Sequence, residues 1–202
     1  MACSLSNTYN FLFIPIPRTA SVSIGKSLSS FVEYSPLKKI YHPSAKDVEN
    51  SLTKSGLDWD DYFSFTFVRN PWERAISFFF KFRSSLYDSP RDWIISNQNK
   101  EIPKHTQPNK HISSKEFKKN LIPSQSHFIQ GVNFDFIGRF ENLQHDFNFV
   151  CKTIGVPKRS LPRLNALSYG SYKDYYQHDT VEIIRTKYKK EIEMFGYTFH
   201  GN

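Results

Sequence analysis

Apolar residues in this chain come in short blocks set between small and polar residues, and the blocks switch between a strand-like and a helix-like period. Phe11-Leu-Phe-Ile-Pro-Ile-Pro17 is short, continuous and apolar, which predicts a buried strand. After a Thr19-Ala-Ser-Val-Ser23 turn, Val22, Ile24, Leu28 and Phe31 mark an imperfect helical face. Ser44 with Asp47 reads as a capping box built with the shorter acid, and Val48 and Leu52 carry that helix to Lys54, where Gly56 stops it. Phe63-Ser-Phe-Thr-Phe-Val68 alternates and is rich in aromatic and β-branched residues, which predicts a strand. Asn70-Pro71 then starts a helix, with Asn70 as N-cap, Pro71 at the first helical position, Glu73 in the first turn and a Phe-rich continuation to Arg83.

The second half is less regular. Residues 87–112 contain three prolines and no sustained period, so residues 87–130 are read as a long irregular excursion near an acceptor site, with a short helix near Ser114 to Asn120 and a turn at Pro123. A strand at Phe134 to Arg139 and a helix at Leu143 to Ile154 ended by Gly155 follow. Leu161 to Tyr176 reads as a loop, Thr180 to Phe195 as a last helix capped by Asp179, and Tyr197-Thr-Phe199 as a final extended piece. Strands alternating with helices predict an α/β fold, one domain over residues 1–202 with a mainly parallel sheet covered on both faces.

Composition sharpens this. Nineteen Phe, eleven Tyr and three Trp against two Met point to a core built from rings, whose flat faces also suit a purine or a sugar. A formal charge of +8 favours an anionic ligand, a polyanion or a membrane surface, but no run of five like charges marks a nucleic-acid tail or a polybasic patch. Cys3 and Cys151 form neither a disulfide framework nor a metal-ligand spacing, and fit a reducing compartment. No basic n-region precedes the short apolar run at Phe11 to Ile16, no stretch approaches membrane-spanning length and no Asn-x-Ser/Thr sequon occurs, so the expectation is a cytoplasmic protein without a membrane span.

Two junctions carry candidate chemistry. A buried strand that runs through a small-residue turn into a helix presents free backbone N–H groups to an anion, and Thr19 to Ser23 form such a turn, with Arg18 at its entrance. Ordinary capping by Ser21 or Ser23 is the plain alternative. Gly25-Lys26-Ser27 also reproduces the end of a Walker A pattern, which keeps a P-loop kinase or NTPase as runner-up, although Ala20 stands where its first glycine belongs and the second strand ends in Arg69 rather than in an Asp for Mg²⁺. At the second junction Arg69 ends a strand, and Asn70, Arg74 and Ser77 share one helical stripe, a set suited to a phosphate monoester or, for Arg69, to a structural ion pair. A basic nucleic-acid-binding module is the third class, disfavoured because the positive residues gather at two helix starts rather than along one stripe.

Ile16-Pro-Arg-Thr-Ala-Ser-Val-Ser-Ile24 followed by Phe67-Val-Arg-Asn-Pro-Trp-Glu-Arg-Ala-Ile-Ser77 resembles the paired donor-binding motifs of the sulfotransferases that use 3′-phosphoadenosine 5′-phosphosulfate (PAPS). The nearer resemblance is to the carbohydrate branch that includes heparan sulfate 2-O-sulfotransferase. It extends through Phe136-Ile-Gly-Arg-Phe-Glu-Asn142, Leu161-Pro-Arg-Leu-Asn165 with Ser168, the Tyr172 to Tyr176 cluster and Phe195-Gly-Tyr-Thr-Phe199.

This resemblance implies a P-loop-like fold in which Thr19, Ala20, Ser21, Val22 and Ser23 hold the 5′-phosphosulfate and Arg69 with Ser77 holds the 3′-phosphate. It also implies that Asn165, Ser168 and Tyr172 close near the donor, with 3′-phosphoadenosine 5′-phosphate (PAP) as product, a hydroxyl of a small molecule or saccharide as acceptor, and neither metal nor nucleic acid. Arg18 stands where the family usually has Lys, and a planar fork is not equivalent to an ammonium point charge. Ser21 replaces the usual loop glycine.

A hydroxyl acceptor needs a base, and imidazole is the side chain matched to that task near neutral pH. His42, between the two motifs, is the candidate; a capping or surface His is its alternative, and His105, His111 and His127 are candidates for acceptor contact. Tyr172, Tyr175 and Tyr176 are read equally as packing, and Arg139 and Glu141 as structural.

Overall fold

A computed structural model describes residues 2–33, 42–100 and 121–201, so the predicted helix near Ser114 to Asn120 lies outside the described residues, as do His105 and His111. Among the described residues the helices are, in chain order, α1 (Ser21–Leu28), α2 (Ala45–Lys54), α3 (Pro71–Phe82), α4 (Pro90–Ser96), α5 (Gln125–Ile129), α6 (Leu143–Thr153), α7 (His178–Lys187) and α8 (Lys189–Phe195). The chain divides into two compact units, Met1–Val68 with His127–Asn165, and Arg69–Ser126 with Ala166–Asn202. Among the described residues no helix is long and apolar enough to cross a membrane.

The first unit holds a four-stranded sheet of β1 (Ser4–Ser6), β2 (Phe11–Phe13), β3 (Phe63–Val68) and β4 (Phe136–Arg139), in that spatial order. β1 runs antiparallel to β2, and β2, β3 and β4 are parallel, with Phe13 opposite Phe65 and Phe67 opposite Gly138. β2 is shorter than its apolar run because Pro15 and Pro17 have no N–H to give a ladder; the Ile14 N–H adds one further bond to the Phe65 carbonyl at 3.1 Å. β1 escapes the sequence pattern because Ser4-Leu-Ser6 offers one large apolar residue.

The pleat sends Phe11, Phe13, Phe65 and Phe67 to one face, where Ile24 and Leu28 of α1 and Phe147, Val150 and Cys151 of α6 cover them. Leu5, Leu12 and Ile14 pack on the other face against Ala45, Val48 and Leu52 of α2. Both faces are therefore covered, and the polar members of β3 are buried and satisfied: the Thr66 hydroxyl donates to the Ile14 carbonyl at 2.7 Å, and the Ser64 N–H and hydroxyl both donate to the Asp135 carboxylate. Gly138 lacks a side chain for a packing reason, since a Cβ there would lie 2.5 to 2.8 Å from three carbons of the Phe67 ring.

In the second unit Asn70 caps α3, its carboxamide oxygen accepting from the Trp72 and Glu73 N–H groups, and its amide donates to the Thr198 carbonyl at 2.8 Å. α4 interrupts the stretch expected to be irregular; Ser89 caps it and Pro90 occupies its first turn, while Trp93 and Ile94 are buried, a start signal too short to set up a visible period. The last predicted helix is two. α7 begins after Gln177, ahead of the expected Asp179 cap, and the chain bends at Tyr188, whose buried hydroxyl donates to the Ile122 carbonyl at 2.6 Å. Residues 197–199 form no strand; Thr198 makes an isolated bridge with Gly201.

Candidate functional site

Pro17 to Ala20 form the turn between β2 and α1. Arg18 and Ala20 both lie in the left-handed region, at φ 66° and 63°. For residues with a Cβ this costs about 1–2 kcal/mol each, and such conformations gather at ligand clamps and active sites. Thr19, buried between them, fixes the turn by donating from its hydroxyl to the Ile16 carbonyl at 3.0 Å.

The start of α1 differs from those of α2, α3 and α4; α6 shares its lack of a side-chain cap but carries Asp146 in its first turn. Side chains of Ser44, Asn70 and Ser89 cap α2, α3 and α4, each with an acid in the first turn; Ala20 gives α1 no side-chain cap and its first turn holds no acid. A helix start of this kind offers backbone N–H groups and a positive end to an anion, and Arg18 precedes it in the turn. Ser21 and Ser23 are nearly buried, and the Ser23 hydroxyl accepts the Leu164 N–H at 3.3 Å, bringing the stretch that ends at Asn165 alongside α1. Val22, expected on the apolar face, is 41% exposed, because the helix turns it off the stripe shared by Ile24 and Leu28. Gly25-Lys26-Ser27 lies within α1, past the first turn, so these residues do not occupy the phosphate-cradling position that a Walker A register requires.

His42 also has positive φ, at 54°, and its Nδ1 lies 2.8 Å from the Pro15 carbonyl oxygen. A carbonyl only accepts, so the neutral ring carries its proton on Nδ1 and its lone pair on Nε2.

At the second junction Arg69 is buried, and its guanidinium donates from one nitrogen to Glu73 at 2.8 Å and to the Tyr169 hydroxyl at 3.0 Å. Tyr169 in turn stacks on Phe80, with ring centres 5.3 Å apart and planes 7° from parallel. Ser77 and Arg74 are both 1% exposed. Burial pulls the Arg74 guanidinium below its ordinary pKa, against the opposing pull of Glu191, and its NH1 donates to the Pro123 carbonyl at 2.9 Å, so Arg74 braces the chain rather than facing a ligand. Gln125, Tyr169 and Glu191 are the participants that sequence reasoning missed; a run such as Pro-Ser-Gln carries no periodic or motif signal.

Asn165, at φ 53°, and Ser168 are exposed. In the tyrosine cluster Tyr172, Tyr175 and Tyr176 donate their hydroxyls to the carbonyls of Phe199, Tyr169 and Trp72 at 2.5, 2.6 and 2.9 Å. His127 is half-buried with its ring edge-on to Phe128. The Arg139 N–H donates to Asp146 at 2.7 Å, a structural bond at the end of β4. Among the described residues no group of three or more His, Cys, Asp or Glu is arranged to hold a metal ion.

The sequence matches the Sulfotransferase family over residues 3–198. It is 28% identical over 121 residues to an uncharacterized protein of Archaeoglobus fulgidus, covering 57% of this chain and 86% of that protein. It is 26% identical over 157 residues to carbohydrate sulfotransferase 9 of Homo sapiens, covering 65% of this chain but only 33% of the human protein. Among solved structures a sulfotransferase from Alicyclobacillus acidocaldarius aligns with a TM-score of 0.38 and 14% identity, over 77% of this chain and 60% of that one.

Proposed function

The chain belongs to the sulfotransferase family, whose chemistry is sulfuryl transfer, and from that premise we propose that it uses PAPS as donor and a hydroxyl of a small molecule or saccharide as acceptor. The observation that carries the donor reading is the uncapped, acid-free start of α1 preceded by two left-handed residues, one of them Arg18. Backbone N–H groups at a helix start with an arginine in the turn before it suit the 5′-phosphosulfate.

Bound PAPS supplies the sulfuryl group. On this reading residues 19–23 hold the 5′ end, and Arg69 with Ser77 holds the 3′-phosphate; Asn165, Ser168 and Tyr172 close on the nucleotide. His42 takes the acceptor proton on Nε2 as the acceptor oxygen bonds to sulfur and the bond from sulfur to the 5′-phosphate oxygen breaks. Arg18 and the Ser23 hydroxyl stabilise the charge that appears on that phosphate, so fixed positive groups and alignment supply the catalysis.

The test is a donor-dependent assay over a panel of acceptors, read by mass spectrometry as the gain of one sulfuryl group, together with thermal melts. The expected result is that PAP raises the melting temperature more than ATP with Mg²⁺ does. Stronger stabilisation by ATP with Mg²⁺, and no sulfuryl gain on any acceptor, would overturn the proposal.

A further inference from the structure

Arg69 lies where β3 has ended and α3 has not begun, a place where neither ladder nor helix claims the peptide groups. Both are taken by one side chain. The Gln125 carboxamide oxygen accepts the Arg69 N–H at 2.8 Å, and its nitrogen donates to the Arg69 carbonyl at 2.8 Å, as a neighbouring strand would. The amide orientation is fixed by its partners, because the same nitrogen donates to the Glu191 carboxylate at 3.1 Å and a carboxylate only accepts.

Gln125 and Glu191 are fully buried. A carboxylate so placed is costly unless donors surround it. Here the Ser124 hydroxyl donates at 2.6 Å, the Gln125 N–H donates, and the Gln125 amide supplies the third bond. The segment leading into Gln125 is held at two carbonyls as well, Ile122 by Tyr188 and Pro123 by Arg74. Every link of this chain has a defined partner, which over-determines the position of the Arg69 backbone while Glu73 and Tyr169 orient its guanidinium.

We infer that Gln125, held by Glu191, is a positioning residue that sets Arg69 for the donor's 3′-phosphate. The inference rests on the donor reading proposed above. Neither residue touches the nucleotide on this account; they act through the Arg69 main chain.

Calorimetry compares PAP with adenosine 5′-monophosphate, which lacks the 3′-phosphate, on the wild type and on Gln125→Met. The wild type is expected to prefer PAP. Gln125→Met is expected to shrink that preference on the order of tenfold, the size of a lost charge-assisted contact, with monophosphate affinity nearly unchanged. Parallel weakening of both nucleotides, or an unaltered preference, would show that Gln125 is a packing residue only and would leave the donor reading standing. A wild type without preference for PAP would remove the donor reading and this inference together. Should Gln125→Met fail to fold by circular dichroism, Glu191→Gln is read by the same ratio, with a smaller loss of preference expected and an unmoved ratio counting against the inference.

Discussion

His42 Nδ1 lies 2.8 Å from the carbonyl oxygen of Pro15, so the imidazole is fastened to the end of the strand that delivers the Arg18 turn. That bond sets the tautomer of the neutral ring. Replacing His42 with Asn removes the basic nitrogen; in steady-state assays kcat is expected to fall roughly 10²- to 10⁴-fold, the usual weight of a general base, while PAP affinity by calorimetry stays within about twofold of the wild type. A comparable fall in affinity would assign the ring a structural role instead.

Ala20 occupies a left-handed position with its Cβ in place. Glycine there relieves about 1–2 kcal/mol of backbone cost but adds about 0.4–1 kcal/mol of unfolded-state freedom. Ala20→Gly is therefore expected to be neutral or slightly stabilising in chemical denaturation, and Ala20→Val clearly destabilising.

The ring of Phe67 fills the space over Gly138. Gly138→Ala is expected to cost about 1–3 kcal/mol, the range for overpacking a core. Adding Phe67→Leu should recover part of that loss, and strict additivity of the two changes in a double-mutant cycle would show that the ring is not what forbids the methyl group.

Glu33 ties β1 to the segment after α1. Slight burial pushes its carboxyl pKa up, but hydrogen bonds from the Thr8 side chain, from the Asn7 N–H at 2.6 Å, from the Ser6 hydroxyl at 3.0 Å and from the Thr8 N–H outweigh it, and the folded-state pKa lies below the ordinary value. A carboxyl lowered on folding lends stability above its unfolded pKa and loses it as pH falls through the folded value. Wild type should thus melt above Glu33→Gln at pH 7, with the gap closing below about pH 4, near the ordinary carboxyl range. A gap that is constant with pH would refute this.

Much of the architecture was legible where local chemistry and tertiary packing agree. The Ser44 capping box, the Asn70-Pro71 helix start and the alternation of β3 are each decided by residues within a few positions of one another. What the pattern missed involves partners distant in sequence: β1 pairs along β2, and the Tyr188 hydroxyl at the bend donates to the remote Ile122 carbonyl. The same division runs through the candidate site. Motif spacing marks the Arg18 turn and Arg69, whereas Gln125 and Tyr169 act on Arg69 from 56 and 100 residues away, a relation no local period encodes.

The two parallel neighbours β3 and β4 are 71 residues apart in sequence at the Ser64 to Asp135 contact. Closing so long a loop costs entropy before any ladder bond repays it, and such pairings slow folding. During synthesis β1, β2 and β3 can meet early, but β4 can dock only after the whole intervening chain has been made. In the meantime the open margin of β3 offers unpaired N–H and C=O groups to any passing strand. Chains truncated before residue 134 should therefore aggregate more than the full chain, and a peptide spanning 134–140, added in trans, should suppress that aggregation by occupying the vacant margin.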